Sequence, residues 1–106
     1  MRHITWEEVD IQAKRIADHW QGRVKAVYGV PQGGAPLAVM ISNYLNVPIL
    51  EEPKIGIDCL IVDDLIDSGK TMLRFADKYK TDAAYRKSHS PIQFAPYAEV
   101  IDDWLS

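Results

Sequence analysis

Residues 59–71, CLIVDDLIDSGKT, leave this chain few choices of fold. The stretch opens as an apolar run, Leu60, Ile61 and Val62. It passes through two adjacent carboxylates, Asp63 and Asp64. It closes on a polar turn, Asp67-Ser68-Gly69-Lys70-Thr71, from which a helical pattern starts. A strand buried on both faces reads as a continuous apolar run, so 59–62 predicts a central parallel strand. Ser68 and Thr71 are N-cap types, and Gly69 lets the backbone approach a ligand closely. Strand, turn and helix start in that order leave N–H groups without partners at the positive end of a helix dipole, which suits an anion.

Gly69-Lys70-Thr71 also fits the end of a P-loop, G-x-x-x-x-G-K-[ST], but the first glycine would fall on Asp64. A carboxylate there would face a phosphate, which argues against a P-loop. Carboxylates suit sugar hydroxyls, which donate hydrogen bonds, and hard cations such as Mg²⁺. A phosphate cradle beside two carboxylates therefore describes a site for a phosphorylated ribose. A plain strand-to-helix turn with ordinary caps explains Ser68, Gly69 and Thr71. It does not explain two acids at the end of a buried strand.

The same residues resemble a known family. Residues 61–71 look like the phosphoribosyl pyrophosphate (PRPP) motif of type I phosphoribosyltransferases: apolar strand, acidic pair, two apolar residues, then D-[ST]-G-x-T. The resemblance implies that Asp63 and Asp64 hold the ribose hydroxyls, directly or through Mg²⁺. It implies that Asp67, Ser68, Gly69, Lys70 and Thr71 wrap the 5′-phosphate.

The rest of the chain surrounds that centre. Its 106 residues predict a single domain, 1–106. With 47% hydrophobic and 25% charged residues, it has the composition of an ordinary soluble globule. A net charge of −3 offers no basic face for nucleic acid, and no apolar stretch is long enough to span a membrane. The opening MRHITWEEVD does not read as a signal peptide. A lone Cys59 inside a strand reads as a small buried hydrophobe in a reducing, cytoplasmic compartment, with a nucleophile as the alternative.

Thr5-Trp6-Glu7-Glu8 has capping-box spacing. Val9, Ala13, Ile16, Ala17 and Trp20 then recur at helical spacing, and Gly22 is a stop. Trp6 and Trp20 read as core or subunit-contact residues. His3 and His19 have no partner pattern. Residues 24–30 predict a second buried strand running into Pro31-Gln32-Gly33-Gly34. A helix over 37–45 follows, opened by Ala35-Pro36, with Leu37, Met40, Ile41, Tyr44 and Leu45 as its apolar face. Residues 47–50 read as a short strand and 51–58 as a polar turn. Residues 71–80 read as the helix after the phosphate turn, 82–87 as a strand, 88–96 as loop and 97–101 as an edge strand.

This alternation predicts an α/β fold: three layers, a mostly parallel central sheet and helices on both faces. Ligands of such sheets sit at the carboxyl ends of the strands, where both glycine loops and the acidic pair fall. The resemblance assigns Gln32, Gly33 and Gly34 to the pyrophosphate, although relatives often carry a basic residue where Gln32 stands. The tail is similar to the purine branch, close to xanthine–guanine phosphoribosyltransferases. There Lys87 would meet the exocyclic oxygen of a 6-oxopurine, and Trp104 with Leu105 would contact the ring. Lys87 also reads as a solvated strand end and Trp104 as a core plug. The tail stops a few residues sooner than in relatives.

The implied activity is transfer of ribose 5-phosphate from PRPP to a purine, Mg²⁺-dependent, with release of pyrophosphate. Asp67 would accept the base proton. PRPP and a nucleobase are the expected partners, in a homo-oligomer. One departure is large. Relatives insert a long hood before the central strand, and the eight residues of 51–58 cannot form one. This supports an alternative, a non-catalytic module that binds PRPP or a nucleotide. A partner chain that supplies the hood is a further possibility.

Overall fold

The computed structural model describes residues 4–31 and 33–102. Three expected site residues, Gln32, Trp104 and Leu105, lie outside them.

Helix α1 spans Trp6–Trp20, and the Thr5 hydroxyl caps it by accepting the Glu8 N–H at 3.1 Å. Gly22, at φ +77°, then turns the chain out of the helix. Strand β1 is Ala26–Gly29, helix α2 Gly34–Leu45, strand β2 Cys59–Ile66, helix α3 Lys70–Ala76, strand β3 Lys80–Arg86 and strand β4 Glu99–Val100. A short 3-10 turn, Ile92–Phe94, lies between β3 and β4. The sheet order is β1-β2-β3-β4 and every pairing is parallel.

The pleat of β2 divides the core in two. Leu60 and Val62 pack with Ala13, Ile16, Leu37 and Ile41 of α1 and α2. Cys59 and Ile61 point the other way and pack with Met72 of α3 and Phe94 of the 3-10 turn. Helices therefore cover both faces of a parallel sheet, which is the three-layer α/β fold expected. Among the described residues no helix is long and apolar enough to cross a membrane. Cys59 is buried, and burial pushes its thiol up to about 11. A thiol so rarely ionised at neutral pH is not a nucleophile.

Several elements differ from the sequence reading. Residues 47–50 form one parallel bridge, Ile49 to Val27, in place of a strand. Pro48 has no N–H to extend the ladder, and only its carbonyl takes part, accepting from Val27 N–H at 3.0 Å. Helix α3 stops at Ala76, because the chain must turn for Lys80 to come into register with Leu60. Strand β2 runs on through the acidic pair to Ile66, since β3 stays paired with it as far as Arg86. Tyr44 is exposed and donates to Asp10 at 2.7 Å, and Trp6 is 66% exposed. Neither joins the core.

One buried polar knot ties α1 to the far half of the sheet. Asp82 of β3 is fully buried. It accepts from the Trp20 indole N–H at 2.7 Å and from the backbone N–H groups of Ala83 and Tyr97 at 2.9 and 3.2 Å. Burial raises its carboxyl to about 6, against the pull of those three donors. That value lies above the usual one for an unfolded chain, so the native state holds a proton that the unfolded state releases. The stability so gained is complete below the unfolded value and is lost as pH rises through about 6.

Trp20→Phe keeps the ring and removes the donor. It should destabilise the fold by about 1–3 kcal/mol in urea titrations, and by more at pH 8, where Asp82 is charged, than at pH 5. Equal losses at both pH values would show that Asp82 does not depend on the indole.

Candidate functional site

The carboxyl ends of β1, β2 and β3 carry the residues in question. The loop after β1 closes on itself through the Gly34 N–H, which donates to the Val30 carbonyl at 2.8 Å. It then lies directly on β2. A Cβ on Gly34 would overlap the Val62 carbonyl oxygen, and a Cβ on Gly33 would come within 2.5 Å of the Asp64 carboxylate. Gly34 meets backbone and has no room for a side chain, whereas a side chain at Gly33 would need the Asp64 carboxylate to move. The expected pyrophosphate loop and the acidic pair thus touch.

Asp63 and Asp64 open onto different hollows. Asp63 lines a cavity of about 140 Å³ with Leu65, Ile66 and the run Asp67 to Met72. This brings together Asp63, Asp67, Ser68, Gly69, Lys70 and Thr71. Gly69, at φ +84°, takes the left-handed conformation that folds the turn around the hollow, and Phe94 packs against it. Helix α3 has only seven residues, so its dipole adds little, and the Lys70 N–H at its start donates to Ser68 Oγ at 3.4 Å. Asp64 lines a second, mostly apolar cavity of about 150 Å³ with Ile4, Trp6, Val9, Gly33, Pro36, Leu37, Ala84 and Tyr85.

Asp63 is half-buried and accepts one backbone N–H, that of Asp64, at 2.8 Å. Burial pushes its carboxyl up to about 7, and the adjacent Asp64 side chain adds to the rise. The Asp64 carboxylate accepts the Leu65 N–H at 2.8 Å. Among the described residues no three metal-ligating side chains converge. Mg²⁺ is commonly held by one or two carboxylates plus substrate phosphates, and two adjacent carboxylates, one beside the hollow of residues 67–72, suit that pattern.

Lys87 leaves β3 beside this cavity. Its N–H donates to the Ile66 carbonyl at 2.9 Å, and its Nζ reaches the Asp102 carbonyl at 3.5 Å. Sequence reasoning missed His89. Its Nε2 lies 2.6 Å from Asp67 Oδ1. Nothing in the string Ser88-His89-Ser90 announces this, because the pair is made by two strands ending together.

No family model matches the chain, and no curated protein does. Solved structures do. A purine phosphoribosyltransferase from Pyrococcus horikoshii superposes with a TM-score of 0.69 at 21% identity, over 94% of this chain and 81% of its own. A xanthine-guanine-hypoxanthine phosphoribosyltransferase from Helicobacter pylori gives 0.66 at 16%, over 84% and 79%. The chain has the type I phosphoribosyltransferase fold. A protein from Neisseria gonorrhoeae solved with bound ppGpp is similar too, with a TM-score of 0.68 at 18% identity over 95% and 83%. Residues 51–58, which lead into β2, form only bends and turns.

Two outcomes follow from the packing. Gly34→Ala should destabilise more than Gly33→Ala in chemical denaturation, because the first meets backbone and the second a side chain that can move. Asp63→Asn should raise the melting temperature at pH 8, and the gain should vanish by pH 5, where wild-type Asp63 is itself protonated. A gain independent of pH would mean that the Asp63 charge is not the source.

Proposed function

We propose that the chain binds PRPP and transfers its ribose 5-phosphate group to a 6-oxopurine base. The observation that carries this reading is the convergence at one sheet edge. Asp63 and the Asp67–Thr71 turn share a hollow, and the Gly33-Gly34 loop is pressed against the adjacent acid.

Each residue then has a job. The amides of 67–71 receive the 5′-phosphate. Asp63 and Asp64 accept hydrogen bonds from the ribose hydroxyls, and their charge favours a sugar that becomes cationic as pyrophosphate departs. The loop of Gln32, Gly33 and Gly34 donates to pyrophosphate oxygens. The bond from the sugar carbon to pyrophosphate oxygen breaks, a bond to the base nitrogen forms, and Asp67 takes the proton that nitrogen loses. Lys87, Trp104 and Leu105 serve the base. Asp63 and Asp64 would hold Mg²⁺, directly or through water, and the bound ion would supply positive charge to the leaving pyrophosphate.

A second reading has its own support. The 51–58 connection is too short to cover the site, and the similar Neisseria protein was solved with ppGpp bound. An uncovered site admits water, which competes for an electrophilic sugar. In this reading the same loops hold PRPP or a guanine nucleotide without turnover.

Equilibrium dialysis with PRPP and Mg²⁺ should show binding in either case. Asp63→Asn combined with Asp64→Asn should abolish it while the far-ultraviolet circular dichroism stays native. Undiminished affinity in that variant would remove the assignment. A pyrophosphate-release screen over guanine, xanthine, hypoxanthine, adenine, uracil and orotate then separates the readings. Release with a 6-oxopurine supports the enzyme, and binding without release from any base supports the module.

A further inference from the structure

The contact between His89 and Asp67 is built by the backbone. Strands β2 and β3 stay paired to their last residues, Ile66 opposite Arg86. The Lys87 N–H then donates to the Ile66 carbonyl at 2.9 Å. Asp67 and the turn after β3 therefore leave the sheet side by side. That turn is fastened twice more. The Ser90 N–H and hydroxyl both donate to the Lys87 carbonyl, at 3.0 and 2.6 Å. The Ser88 N–H donates to Asp102 Oδ1 at 2.9 Å. His89 sits at the tip of this pinned turn, with its Nε2 2.6 Å from Asp67 Oδ1.

Asp67 also lines the hollow formed by residues 67–72. A carboxylate on that wall repels a phosphate monoester. An imidazolium in contact with the carboxylate cancels the repulsion, whereas a neutral imidazole only donates a hydrogen bond. We propose that His89 is a positioning residue for Asp67: it holds and neutralises that carboxylate, so the loop takes a phosphate monoester more tightly when the imidazole is protonated. This rests on the phosphate assignment made above and names the residue that tunes it.

The charged groups around His89 come from three elements. They are Asp67 after β2, Lys87 in the same turn and Asp102 after β4. Asp63 shares the hollow, and burial pushes its own carboxyl up to about 7. The phosphate of the ligand titrates there as well. Both are common to wild type and to a His89 variant, so the comparison at each pH isolates the imidazole.

The test is an NMR titration of ribose 5-phosphate, without added metal, into wild type, His89→Gln and His89→Ala at pH 5.5, 6.5 and 8. Wild type should bind about three- to tenfold more tightly than His89→Gln at pH 5.5 and equally at pH 8. Placed on Asp67→Asn, the His89→Gln change should have no effect at any pH. A ratio that stays flat while wild type binds overturns the role of His89 and leaves the phosphate site standing. So does a variant that only lowers the melting temperature. Absence of wild-type binding at every pH removes the phosphate assignment and the inference with it.

Discussion

Backbone lies on backbone where Gly34 meets the Val62 carbonyl, and the architecture of the site depends on that contact. In the proposed function the loop after β1 must come this close for its amides to share a ligand with Asp63 and Asp64. A side chain at Gly34 would hold the two loops apart. Misplacement on the order of an ångström is enough to spoil a site that works by orientation. The contact also fixes where α2 starts, since Gly34 is the first residue of that helix and the last of the loop.

Two carboxyls of the sheet, Asp82 fully buried and Asp63 half-buried, show how differently a fold can treat the same group. Asp82 is sealed among apolar neighbours and receives three N–H groups, which makes it part of the frame. Asp63 sits toward the carboxyl end of β2, accepts the N–H of Asp64, and has a carboxyl raised to about 7. A charge left so poorly satisfied weakens the fold. Such a group is usually retained because a bound partner relieves it.

Much of the frame was legible from residue order. The apolar run of 59–62, the capping box at Thr5 and the spacing of Ala13, Ile16 and Ala17 each follow a period that a helix or a buried strand imposes locally. The turn 67–71 was legible because its residue types are dictated by its own backbone. Residues 47–50 misled, since an apolar run reads as strand whether or not a proline blocks the ladder. The length of α3 misled too, because its end is set by the strand register that follows it. Tyr44 fell on an apolar face by spacing, yet its exposure depends on how far neighbouring elements reach.

The amino-acid sequence alone determined the alternation of strands and helices and the presence of two glycine turns and a doubled acid, because these follow from short-range sterics and periodicity. Only the tertiary structure decided that Gly33 touches Asp64, that Asp63 and Asp64 open onto separate hollows, and that His89 meets Asp67. Those facts depend on how parallel strands align across crossovers. That alignment is set by the packing of the whole core, and no local stretch contains it.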